Sequence, residues 1–217
     1  MEGSGKPLAC TEGMCETVKA ITIWQPWASL LAMGAKQYET RSWATSYRGP
    51  IAIHAAAMKA PQVLKKLFPY DECDGMAKSA FLDAVAKGLG GVYTTEELMD
   101  AMNGLPTGGV IATAELVDVW HIKGVHRIPG KINGVPTGAE SQDGTRLLAV
   151  LESMNRRKRQ GKDTVYLYHL GVLEGEIALG DWTSGRYAWE LANVKPITPV
   201  PVKGKQGLWQ WDAPADN

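Results

Sequence analysis

The polar and apolar positions divide the chain into stretches of different period. From Val18 to Trp24 apolar and polar residues alternate as in a strand, and the period then lengthens, with Trp27, Leu30 and Leu31 on one helical face. Pro26 suits the first position of that helix and Gly34 its end. Gln37 to Trp43 reads as extended, Tyr47 to Gly49 as a turn, and Ile51 to His54 as a β-branched strand. Helical spacing follows over Pro61 to Phe68 and over Met76 to Lys87. Another helix opens at Thr94, where Glu97 completes a capping box. β character returns from Gly108 to Trp120. Leu147, Leu148, Leu151 and Met154 fall on one side of a helix predicted from Thr145 to about Arg159. Arg186 to Val194 and Leu208 to Asp212 read as closing strands.

The pattern predicts a tail over residues 1–17 and one domain over 18–212, with insertions at about 58–106 and 127–179. A second tail follows at 213–217. The aromatic residues agree with that division. All eight tryptophans lie outside both insertions, and both phenylalanines, Phe68 and Phe81, lie in the first. Many short strands without βαβ alternation predict a mainly β or α+β fold, a small β-barrel with surrounding helices.

Composition narrows the function classes. Lys plus Arg and Asp plus Glu both total 23 in 217 residues, so bulk positive charge does not drive nucleic-acid binding, and a basic region has to be local. One such region is Arg156, Arg157, Lys158 and Arg159, followed by Lys162. It is read equally as a phosphate contact or as the solvated end of a helix. Cys10, Cys15 and Cys73 have no metal or disulfide spacing, so a reducing, cytoplasmic setting is expected. No apolar run approaches about 18 residues, so neither membrane association nor a signal peptide is expected. His54, His121, His126 and His169 form no ligand spacing, and the glycine fingerprints of nucleotide cofactors are missing. The expectation is therefore no metal and no cofactor.

The run Gly34-Ala-Lys-Gln-Tyr-Glu-Thr-Arg41 carries the densest chemistry. Glu39 and Arg41 project from one face of an extended segment, and Lys36 stands at its junction with the helix. Together they are read either as an edge that pairs with bases or phosphates, or as an ion pair on a solvated strand. Trp24, Trp27 and Trp189 are base-stacking candidates for which core packing is the plainer role. Trp182, in a glycine-flanked turn, is the better stacking candidate.

Ile21-Thr-Ile-Trp-Gln-Pro-Trp-Ala-Ser-Leu-Leu31, the GxKxxExR run and Tyr47-Arg-Gly-Pro-Ile-Ala-Ile-His54 resemble the ASCH (activating signal cointegrator homology) family. So do Gly185-Arg-Tyr-Ala-Trp-Glu-Leu191, Pro199 to Val202 and Gly204 to Trp209. The resemblance covers about residues 18–57, 107–120 and 180–212. It implies a PUA-like β-barrel with a cleft, linked to RNA or other nucleic-acid binding. Some members are credited with hydrolysing acetylated cytidine or cleaving RNA. It places Lys36 in the cleft beside Glu39 and Arg41, and makes Arg48, Arg186 and Lys205 motif residues, the two arginines alternatively serving as loop anchors. The amide-hydrolysing members carry threonine where this chain has Glu39, and Glu115 is a candidate for their later glutamate by position only.

Three functions follow as expectations. The first is an RNA-binding domain that holds a nucleotide in the barrel cleft. The second is a metal-independent amidohydrolase or ribonuclease, with Lys36 polarising a carbonyl and Glu39 or Glu115 acting as base. The third is a protein-interaction scaffold using the insertions.

Overall fold

In the computed structural model, residues 17–69, 75–91, 93–129, 131–132, 135–136, 145–153 and 174–214 are described. Strand β1 (Thr17–Ile23) leads through cis-Pro26 into α1 (Trp27–Ala32), which ends at Gly34. Gly34 takes φ +74°, a left-handed conformation that glycine adopts without a Cβ clash, and turns the chain into β2 (Tyr38–Arg41). Next comes β3 (Gly49–Ala55). The helices α2 (Ala60–Leu67), α3 (Gly75–Gly88) and α4 (Thr95–Asn103) then separate it from β4 (Gly109–Pro129). The remaining elements are β5 (Lys131–Ile132), β6 (Val135–Pro136), β7 (Thr145–Ser153), α5 (Glu174–Ala178), β8 (Tyr187–Pro201) and β9 (Leu208–Asp212).

The main sheet runs β2-β8-β4-β3-β1-β9, with β7 added to the distal part of β4, and β5 pairs separately with β6. Only β1 with β3 is parallel; the other pairings in this sheet are antiparallel. The long strands β4 and β8 slip register at three places, between Val110 and Ala112, Thr113 and Glu115, and Leu116 and Asp118. Each slip bends and twists the ladder, and the sheet curls into an open half-barrel with helices against it, the α+β PUA-like fold expected. Inside the curl, Ile21, Ile23, Leu31, Ile51, Ile53, Leu116, Val119 and Trp189 form the main core. Leu30, Phe81, Val85, Leu98 and Met102 bind the three helices to α1 in a second cluster.

Two predicted elements need correction. The stretch from Thr145 is a strand to Ser153, paired with β4 from Trp120↔Ser153 to Pro129↔Thr145. Leu147, Ala149 and Leu151 satisfy a period of two as well as the leucines satisfy 3.6, and the overlong β4 supplies the partner that decides between them. The tryptophans also do not share one core: Trp189 lies in the main cluster, Trp120 and Trp182 in another, and Trp209 with Trp211 in a third beside Val18 and Ala20.

Candidate nucleic-acid interface

A cleft of about 510 Å³ opens between the β2 edge and the helices. Glu39, Thr40 and Arg41 line it from β2, Thr22 from β1, and Gly180, Asp181 and Arg186 from the loop before β8. Facing them are Trp24 and Trp27 at the start of α1, Leu67 and Phe68 at the end of α2, and Phe81 from α3. The aromatic side is continuous: Trp27 and Phe81 ring centroids are 5.5 Å apart, and those of Phe81 and Phe68 are 5.9 Å apart. The helices between β3 and β4 therefore form one wall of the cleft, a role their amphipathic pattern does not reveal.

On the strand side, Arg41 Nη2 donates to Thr22 O at 2.9 Å and lies 3.1 Å from Glu39 Oε1. Arg186 Nε lies 3.1 Å from Asp181 Oδ2, close enough for charge attraction but not aligned as a hydrogen bond. Burial of the Asp181 carboxyl acts to raise its pKa. Two hydrogen bonds from Thr183 and the Arg186 charge outweigh that, and hold it below the ordinary carboxylate value. Asp181 N donates to Thr40 Oγ1 at 3.0 Å, which ties the loop to β2. The cleft's formal charges are thus two arginine–carboxylate pairs that sum to zero.

Lys36 is not among these groups. It is 1% exposed, its Nζ donates to Tyr38 O, and Glu176 Oε2 of α5 is 3.4 Å away. Strand alternation explains the correction: Lys36 and Tyr38 share the buried side of the segment, and Glu39 and Arg41 take the other. Glu176, which sequence reasoning missed, also accepts hydrogen bonds from Gln37 N and Tyr38 N. Its separation of 140 residues from Lys36 leaves no local signal for the pair. Burial, then the nearby Glu190 and Glu176 charges, push the Tyr38 phenol well above its ordinary value.

Trp182 is buried at 5% exposure, and its Nε1 donates to Glu176 O at 3.0 Å, so it is a clamp on the loop and not a stacking surface. Gly180 permits this, because a Cβ there would stand 2.7 Å from Trp182 Nε1. Trp27 Nε1 holds the same loop through Leu179 O at 2.6 Å. Trp189 is core, whereas Trp24 is 38% exposed at the cleft mouth.

The other candidates lie apart from the cleft lining. Arg48 is a loop anchor: it donates to Thr45 O and Tyr47 O and pairs with buried Asp118 at 2.9 Å. Glu115 accepts from Asn193 Nδ2 at 3.0 Å. Lys205 Nζ lies 5.8 Å from the Trp209 ring centroid, and buried His54 meets Val202 O through Nε2 at 2.9 Å. The lysine–carboxylate pair that amide hydrolysis would use is therefore not assembled from Lys36 and Glu115 at the cleft surface. Arg156, Arg157, Lys158 and Arg159 lie outside the described residues. Among the described residues no three His, Cys, Asp or Glu side chains converge as metal ligands would, and no helix is long and apolar enough to cross a membrane.

Over 48 residues the chain is 48% identical to human activating signal cointegrator 1, a match that spans 22% of this chain and 8% of that protein. A family model, the ASCH domain, matches residues 21–201, from β1 through the end of β8. The chain belongs to the ASCH domain family.

Proposed function

We propose that the protein binds single-stranded RNA and holds one nucleotide in the cleft, its base against the aromatic wall and its hydrogen-bonding edge toward Arg41 and Glu39. The observation that carries this reading is the facing of Trp27, Phe68 and Phe81 by two arginine–carboxylate pairs. Every base offers a face for stacking, and a guanidinium beside a carboxylate presents donors and acceptors together, as a base edge requires. Membership of a family generally considered RNA-binding supports the same reading.

Fluorescence anisotropy with labelled single-stranded RNA, single-stranded DNA and duplex DNA tests it. Saturable RNA binding is expected to weaken roughly tenfold or more in Arg41→Ala, the range for losing a paired contact to a base edge. Arg41→Lys should not restore it, since an ammonium lacks the planar fork. Absence of binding to all three would refute the reading. Lys36→Ala is unsuited as a binding test, because it leaves Glu176 buried without its cation. A hydrolase acting on RNA or N4-acetylcytidine retains only Glu39 of its three candidate groups in the cleft. Product formation that depends on Glu39 would replace the binding reading. Co-purification of a defined protein through α2–α4, without RNA, would favour the scaffold.

A further inference from the structure

The charges lining the cleft cancel, Arg41 against Glu39 and Arg186 against Asp181. A neutral wall can discriminate base edges, yet it releases few counterions and leaves the attraction for phosphate to other groups. One such group stands at the mouth. Lys66, in the last turn of α2, is exposed, and its Nζ sits 4.8 Å from the centroid of the Trp24 ring. It has no carboxylate partner among the described residues, and the adjacent Lys65 is exposed as well. Trp24 and Leu67, both lining the mouth, are at 38% and 40% exposure two of the large apolar side chains that the described surface leaves open to water.

An exposed indole with an ammonium over its ring joins the two groups that single-strand binders combine, a stacking platform and a cation for the backbone. The geometry points to a second nucleotide subsite at the mouth of the cleft, formed by Trp24 and Lys66. The base flanking the cleft-bound nucleotide stacks on Trp24, and the phosphate joining the two meets Lys66. This rests on the cleft reading, from which it takes its register. It commits the ligand to a single strand of at least two nucleotides, and makes α2 a binding element as well as a packing one.

The test measures dissociation constants for a mononucleotide, a trinucleotide and an eight-nucleotide single-stranded RNA, each at several salt concentrations. Wild type is compared with Trp24→Leu, Lys66→Gln and Arg41→Ala, all checked for unchanged melting. Wild type should gain affinity between one nucleotide and three. Trp24→Leu should weaken trinucleotide binding roughly 5- to 150-fold, the range for losing one stacked base. Lys66→Gln should lower the slope of log affinity against log salt by about 0.7, one phosphate contact on a single strand. A length gain and salt slope that persist in both variants would overturn the subsite, with the cleft reading intact if Arg41→Ala still weakens binding roughly tenfold or more. Binding sensitive to Trp24→Leu but indifferent to Arg41→Ala would instead overturn the cleft reading.

Discussion

On the strand side of the cleft each charged side chain has a partner of opposite sign, whereas on the helix side Lys66 lies over an indole ring and has no carboxylate partner among the described residues. The strand side is also backed by the buried Lys36–Glu176 pair, through which α5 holds the backbone of residues 37 and 38. The helix side is held by ring contacts, Trp27 on Phe81 and Phe81 on Phe68, and by the hydrogen bond from Trp27 Nε1 to Leu179 O. One wall therefore fixes direction through hydrogen bonds, and the other supplies area and a cation that has no carboxylate partner among the described residues. The most conspicuous lysine of the motif builds the site, and an unremarkable lysine on a short helix faces the solvent where a ligand would arrive.

The contrast can be broken from either side. The largest effect is expected from Glu176→Leu, which leaves the Lys36 ammonium buried without its counter-charge. Chemical denaturation should show a loss of about 3–5 kcal/mol. Adding Lys36→Met should recover part of this but not all, because Gln37 N and Tyr38 N lose their acceptor in both variants. An unchanged stability in Glu176→Leu would mean that the pair does not hold the strand wall. On the helix side, Phe81→Ala removes a ring buried at 4% exposure, and should cost about 3 kcal/mol in the same measurement.

A smaller effect appears only in alkali. Because burial and two nearby carboxylates raise the Tyr38 pKa, the folded protein keeps this proton above pH 10, where the unfolded chain releases it. The contribution is therefore complete below pH 10 and is lost as pH rises beyond it, by up to about 1.4 kcal/mol per pH unit. Tyr38→Phe should flatten that limb in a pH series of melting curves; an equally steep limb would locate the titration elsewhere. Smallest is Thr94→Ala on α4. Thr94 Oγ1 accepts from Glu97 N and the Glu97 carboxylate returns a bond to Thr94 N, so losing the cap should cost about 1 kcal/mol. The cleft should bind RNA as before.

The strands β1 and β3 were legible from their apolar, β-branched residues, β3 being buried on both faces from Ile51 to Ala55, and Thr94 with Glu97 marked α4 within a residue. What was not legible depended on partners far away in the chain. Leu147 and Leu151 satisfied two periods, and only pairing with β4 chose the strand. Trp182 sits in a turn, yet Tyr38 packs on it at 6.0 Å between centroids and Glu176 accepts its N–H, so a glycine-flanked turn is here interior. The Glu39–Arg41 pairing followed from parity along the strand. The same parity already set Lys36 with Tyr38 and away from Arg41, a signal the motif's familiarity obscured. No periodicity could have shown that Phe68 and Phe81 face the strand wall, because that requires α2 and α3 to fold back over α1.

The central claim is that RNA enters between these two walls. Photocrosslinking of a single-stranded RNA carrying 4-thiouridine, followed by mass spectrometric mapping of the attached peptides, tests it most directly. The account predicts adducts on the peptides bearing Trp24, Trp27 and Phe68, lost in Arg41→Ala. Adducts confined to peptides that do not line the cleft, or unchanged by Arg41→Ala, would contradict it.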